Sequence, residues 1–155
     1  TALPIFKAGE VDGAVICGMG GPLMVRILQT SYAVWQSLKF VVLQPQSDAG
    51  ALRRYLYEHG WHIEDERLVI DDGRLYELMR AVPGQAGALP DWIYDIGPVN
   101  WQRRDPLLSR KIDILMETKG HILEGLKKSR KDVHERMEKI ESELRFWREL
   151  KWQLQ

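Results

Sequence analysis

The sequence predicts an α/β fold, the C-terminal half of an open, doubly wound sheet, continued by an α-helical antiparallel coiled-coil hairpin. Three observations predict it. Apolar runs of strand length alternate with runs at helical spacing through the first part of the chain. The dipeptide Asp72-Gly73 separates two further strand-like runs, the signature of a two-residue hairpin turn. Beyond Asp91 the apolar residues recur at three-, four- and seven-residue intervals.

Taken in order, Asp12 to Cys17 form a short strand that ends in Gly18-Met19-Gly20-Gly21. Pro22 follows, then Leu23, Met24, Ile27 and Leu28 at helical spacing, so a strand, a glycine turn and a helix with Pro in its first turn are expected. Phe40 to Leu43 is a continuous apolar run, as expected of a parallel strand covered on both faces, and it stops at Gln44-Pro45. Ala51, Leu52, Tyr55 and Leu56 describe a second helix, with Gly60 as its C-terminal stop. Trp61 to Ile70 and Leu75 to Val82 are the arms of the hairpin, and Pro83 to Pro90 is a loop. The first half that a doubly wound sheet needs is not among these residues, and the chain opens on Thr1 rather than Met, so an upstream portion is expected to have been removed.

The helical part holds two amphipathic stretches, one through Leu107, Ile112, Leu115, Ile122, Leu123 and Leu126, the other through Val133, Met137, Ile140, Leu144, Trp147 and Leu154. Leu126, Val133, Ile140, Trp147 and Leu154 fall seven apart, a coiled-coil seam. The polar run Lys127 to Asp132 supplies a turn between them; one long helix is the alternative, and it would need a partner chain along its seam, a homodimer. The expected division is residues 1–98, a partial sheet domain, and 99–155, a helical coiled-coil domain.

Net charge is zero, but its distribution is not even: residues 1–98 carry eight Lys and Arg against twelve Asp and Glu, and residues 99–155 fourteen against ten. The sign change suggests that the C-terminal part faces a polyanion, with a solvated mixed-charge helix as the plainer reading. The single cysteine, Cys17, lies in an apolar run and is read as a packing residue; alone it builds no disulfide framework and no Cys-rich metal site. No stretch approaches the roughly 20 apolar residues of a membrane span, and no signal peptide opens the chain, so a reducing, cytoplasmic setting is expected.

Six groups of residues are weighed for possible chemistry. The glycine turn sits at the carboxyl end of a predicted parallel strand, where open α/β sheets bind ligands. Its glycines would let a flat ligand approach the backbone, and the helix behind would offer free N–H groups; a tight turn without a ligand is the alternative. Gln44-Pro45 should share that rim, where the amide could meet the edge of a base, although proline alone explains why the strand stops. The acids Glu64, Asp65, Glu66, Asp71 and Asp72 are read as solvated charge, since successive strand residues cannot all point one way. His59, His62, His121 and His134 have no metal-ligand spacing, and no metal site is expected. Arg103, Arg104, Arg110, Lys111, Lys127, Lys128, Arg130 and Lys131 cluster before and between the two helical stretches, as phosphate contacts would. Trp92, Trp101, Trp147 and Trp152 lie nearby; packing is favoured over stacking on RNA, most clearly for Trp147 on the seam.

The strings D-G-A-V-I-C-G-M-G-G, V-V-L-Q-P, L-R-R-Y-L-Y-E-H-G-W-H-I-E-D-E and D-D-G-R-L-Y-E-L, then I-G-P at Ile96 to Pro98, D-P-L-L at Asp105 to Leu108 and the final hairpin, occur in one order along nearly the whole chain. Together they resemble the bacterial tRNA (adenine(22)-N1)-methyltransferase family. The resemblance implies a Rossmann-like methyltransferase sheet, S-adenosylmethionine as cofactor of the intact protein, and tRNA as partner. It places Gly18, Met19, Gly20, Gly21, Gln44 and Pro45 in the cofactor or target-base pocket, and Arg103, Arg104, Lys127, Lys128, Arg130 and Lys131 against tRNA. It names no catalytic side chain. In that family an earlier strand ends in an acidic, glycine-containing turn that holds the methionine part of the cofactor, and a second acid binds the ribose. Neither is among these 155 residues, so the chain alone is expected to bind no cofactor. A non-enzymatic RNA- or protein-binding module with a coiled-coil interaction element is the alternative.

Overall fold

The computed structural model describes residues 6–129 and 133–154. The chain forms two compact units, Thr1–Asp105 and Pro106–Gln155.

The first unit begins with β1 (Gly13–Met19), α1 (Gly21–Thr30), a short α2 (Tyr32–Trp35) and β2 (Phe40–Pro45). It continues with α3 (Ala49–Glu58), β3 (Trp61–Asp71), β4 (Arg74–Pro83), α4 (Asp91–Ile96) and α5 (Pro98–Gln102). The four strands lie in the order β1-β2-β4-β3. β1 and β2 are parallel, joined through α1 and α2, whereas β4 runs antiparallel to both β2 and β3. The hairpin turn is where the sequence predicts it: Asp72 and Gly73 take φ values of 46° and 73°, the paired positive angles of a type I′ turn. Gly60, at φ 76°, stops α3 as expected.

The core lies between the sheet and helices α1 to α3. Met24, Leu28, Trp35, Val41, Leu43, Leu52 and Leu56 are all fully buried within it. Each such aliphatic side chain contributes about 1.5–3 kcal/mol. Three details differ from the sequence reading. Both parallel strands run two residues further, β1 to Met19 and β2 to Pro45. β2 is covered fully on one face only: Val41 and Leu43 are buried, whereas Phe40 and Val42 are partly exposed. Cys17 is not a packing residue. Ile16 points into the core of β1, so its neighbours Val15 and Cys17 point to the other face and are exposed.

The acids of β3 also need correction. A bulge between Ile63 and Asp65 shifts the strand by one residue, so burial passes from Trp61 and Ile63 to Glu66 and Leu68. Glu66 is therefore an interior carboxylate rather than a solvated one. Arg53 of α3, fully buried, donates from Nε to Glu66 Oε2 at 2.9 Å, from Nη2 to Glu77 Oε2 at 2.7 Å and from Nη1 to the Tyr94 carbonyl at 2.9 Å. Burial works against the guanidinium charge, but Glu77 and Glu66 outweigh it and raise the pKa above its ordinary value. The other oxygen, Glu66 Oε1, accepts the N–H groups of Val99 at 2.7 Å and Asn100 at 3.0 Å, in the first turn of α5. This accounts for the Ile96-Gly97-Pro98 segment: Gly97 has φ 97°, and a Cβ there would overlap the Glu66 carboxylate.

The second unit is a helical hairpin of α6 (Leu108–Lys127) and α7 (His134–Trp152). Ion pairs Lys119–Glu143 and Lys151–Asp113 show that the two helices are antiparallel, because moving up one moves down the other. Leu123, Ile140 and Leu144 form the centre of the seam, flanked by Met116, Leu126 and Met137. Trp147 is buried, as its place in the seven-residue spacing predicts, but Trp152 is 77% exposed and packs in no core. Among the described residues no helix is long and apolar enough to cross a membrane, and no group of three His, Cys, Asp or Glu could hold a metal.

Candidate functional site

The carboxyl ends of β1 and β2 are neighbours, because parallel pairing puts Cys17 opposite Gln44 and Met19 opposite Pro45. The glycine turn and Gln44-Pro45 thus share one rim of the sheet. A register irregularity between Cys17 and Met19 throws Gly18 out of the ladder at φ 76°. Its freed N–H donates to Gln44 Oε1 at 3.0 Å. Two backbone bonds then fasten the loops that follow the strands: Gln46 N–H to the Met19 carbonyl and Gly21 N–H to the Ser47 carbonyl, both at 2.8 Å.

The glycines of the turn have different tasks. A Cβ on Gly21 would overlap the backbone carbonyls of Ser47 and Asp48, so this glycine permits one loop to lie on the other. A Cβ on Gly20 would stand 2.8 Å from Ser47 Oγ, a side chain that can move. A Cβ on Gly18 would meet nothing nearer than Gln46 Nε2 at 4.0 Å. Room for a ligand therefore lies over Gly18; the space over Gly20 is taken by the Ser47 side chain and that over Gly21 by backbone.

The expectation of free N–H groups at the start of α1 is not met. Gly21 N–H is taken by Ser47, Pro22 has none, and those of Leu23 and Met24 turn back to the Gly20 carbonyl at 3.0 and 3.1 Å. Polar contacts at this rim must come from side chains. The Gln44 oxygen is held by Gly18, while its Nε2 has only a long 3.4 Å contact to the Pro45 carbonyl. Gln46, Ser47 and Asp48 are exposed on the same loop. The sequence reading passed over these three; its only signal for them was a cluster of turn-forming residues after a strand.

The basic residues do not form one group. Arg103 and Arg104 belong to the first unit. Arg103 pairs with Asp65; burial would raise the Asp65 carboxyl, but the hydrogen bond and charge of Arg103 prevail and hold it below the usual carboxylate range. Arg104, at φ 53°, lays its guanidinium 4.6 Å from the centre of the Trp101 ring, and Trp101 meets Trp92 edge to face. Lys127 and Lys128 are exposed at the end of α6 in the second unit. Lys127 donates to Glu124 at 2.8 Å, which raises its pKa. Arg130 and Lys131 lie outside the described residues.

Comparison with known proteins gives one consistent result. The model of the family TrmK, tRNA (adenine(22)-N(1))-methyltransferase, matches residues 2–149. A tRNA (adenine(22)-N(1))-methyltransferase of Bacillus subtilis strain 168 is 34% identical over 91 residues, 59% of this chain and 38% of that protein. The crystal structure of the B. subtilis m1A22 tRNA methyltransferase TrmK superposes with TM-score 0.78 at 23% identity, over 95% of this chain and 66% of that one. A Streptococcus pneumoniae structure, of a candidate tRNA (m1A22) methyltransferase in complex with S-adenosyl-L-methionine, gives TM-score 0.79 at 24% identity, over 96% and 64%. These likenesses establish a Rossmann-like methyltransferase fold. The chain spans about two fifths of the length of the curated relative it matches.

Proposed function

The chain belongs to the tRNA (adenine(22)-N(1))-methyltransferase family, and from that premise we propose that the full-length protein methylates N1 of an adenine in tRNA. S-adenosylmethionine would supply a sulfonium methyl. Adenine N1 carries its own lone pair and forms the new bond directly, so the positive charge passes from sulfur to the purine and no proton has to be removed. That chemistry asks for alignment rather than for a general base. The observation that carries the reading is the rim itself. Two parallel strand ends are fastened together, with open space over Gly18, the Ser47 side chain over Gly20 and the Gln44 amide bonded to the turn. Gly18, Met19, Gly20, Gly21, Gln44 and Pro45 would line the pocket where methyl group and base meet. A paired or stacked adenine has to be turned out of its helix to reach such a pocket.

The contacts to tRNA would be made by Arg103, Arg104, Lys127, Lys128, Arg130 and Lys131, which read shape and phosphate rather than sequence. Residues that could hold the methionine and ribose parts of the cofactor are not evident in these 155, so this chain alone should bind S-adenosylmethionine with no measurable affinity by calorimetry. A cytoplasmic setting suits a tRNA substrate. The deciding experiment uses the full-length protein and tRNA from a strain lacking the modification. Nuclease digestion and mass spectrometry should reveal N1-methyladenosine; a product on another base, or none from a protein that binds the cofactor, overturns the assignment.

A further inference from the structure

A base that is methylated at N1 cannot be recognised through N1, because the attacking lone pair has to stay free. The edge of adenine that remains presents two groups side by side: N7, an acceptor, and the exocyclic amino group at N6, a donor. A site that reads this edge needs one donor and one acceptor. Gln44 provides only half of it. Its Oε1 is engaged by Gly18 N–H at 3.0 Å, while Nε2 makes only a 3.4 Å contact to the Pro45 carbonyl, so the donor is the half left for a ligand. The acceptor has to come from another side chain at the rim.

We propose that Ser47 is that acceptor, a contact for the amino group of the target adenine. Three observations converge on it. The Ser47 backbone is fixed over the turn, its carbonyl accepting Gly21 N–H at 2.8 Å and its neighbour Gln46 donating to Met19. The Ser47 hydroxyl stands over Gly20, 2.8 Å from where a Cβ would be, so this glycine makes the place for it beside the open space over Gly18. Among the described residues this hydroxyl is exposed and makes no hydrogen bond. Since the N–H groups of α1 are already engaged, side chains have to fix the plane of an entering base, and of the exposed loop residues Gln46, Ser47 and Asp48 it is Ser47 whose side chain stands nearest the glycine turn. Ser47 Oγ would accept from N6–H while Gln44 Nε2 donates to N7, leaving N1 directed at the methyl group.

This inference rests on the methyltransferase reading above, and the test separates the two. The full-length protein is assayed on two tRNAs, one with adenosine at the methylated position and one with purine riboside, which lacks only the amino group. The analogue reacts more slowly for its own electronic reasons, so the informative quantity is the ratio of variant to wild type within each RNA. Ser47→Ala should lower kcat/KM about fivefold on the adenosine RNA, the effect of one lost neutral hydrogen bond, and leave the purine riboside RNA unchanged within about twofold. Ser47→Thr, which restores a hydroxyl, should recover most of the loss. An equal fall on both RNAs, or no fall on either, overturns the role of Ser47 while the methyltransferase reading stands. A wild-type protein that methylates neither RNA overturns the reading and this inference with it.

Discussion

The two units handle charge in opposite ways. In the sheet unit Arg53, Glu66 and Glu77 are buried together, every oxygen and nitrogen of the Arg53–Glu66 pair directed at a partner, and the group ties α3, β3, β4 and α5 to one another. In the hairpin unit the charged pairs Lys119–Glu143 and Lys127–Glu124 lie at the surface, and the helices are held by an apolar seam instead. The ion pairs named here thus tie elements together in a dry interior in one unit and stay within reach of water in the other. A buried pair is costly to break because its survivor is left charged in a dry interior, whereas a surface pair is replaced by water.

That contrast can be broken by mutation. Glu66→Ala should be the most damaging single change. It leaves Arg53 with Glu77 as its remaining carboxylate and two backbone N–H groups without an acceptor, a loss of about 2–5 kcal/mol, read as a lowered urea midpoint. If it unfolds no earlier than Lys119→Ala, the distinction between the units fails. Trp147→Ala, on the seam, should cost about 3 kcal/mol through the cavity it leaves, and circular dichroism should locate the loss in helix rather than strand. Gly21→Ala should follow at about 1–3 kcal/mol, because its Cβ meets backbone that is itself hydrogen-bonded, while Gly20→Ala, which meets only the Ser47 side chain, should be milder. An equal effect at both positions would mean that the two loops are not fastened as described.

Smaller effects sharpen the comparison. Lys127→Ala with Lys128→Ala should leave the melting temperature alone and flatten the salt dependence of tRNA binding by the full-length protein. An unchanged salt slope would make these lysines a solvated surface and nothing more. Arg103→Ala tests the exposed pair in the sheet unit. Asp65 is held below its unfolded value, so its contribution is complete above that value and fades as pH falls through the folded one. The variant should therefore be weaker by a fraction of a kcal/mol near pH 7 and indistinguishable from wild type in strong acid. The opposite trend in an acid titration followed by fluorescence would reverse the sign assigned here.

Much of the architecture was legible in the residues because it is local. Asp72-Gly73 announces its turn, Pro22 after the glycines announces a helix start, and the seven-residue spacing announces the seam that buries Ile140 and Trp147. What escaped depends on distant partners. Three successive acids on a strand look solvated, and only the bulge after Ile63 turns Glu66 inward, toward an arginine thirteen residues earlier in the chain. Cys17 lies in an apolar run, but which face of β1 receives a helix is not written in that run. The rim was legible through Gly18 to Gly21 and Gln44-Pro45, whereas Ser47 carries no pattern: its position follows from the lie of one loop on another.

The exposed thiol of Cys17 has a practical consequence. It is the single cysteine of these 155 residues, it is exposed, and pairing sets it opposite Gln44, one residue before the turn. On this chain a maleimide dye would react at one place, next to the rim, with no engineered residue. Its labelling rate, and afterwards its anisotropy, would report covering of that face in real time, giving a kinetic view of encounters that equilibrium titrations average away.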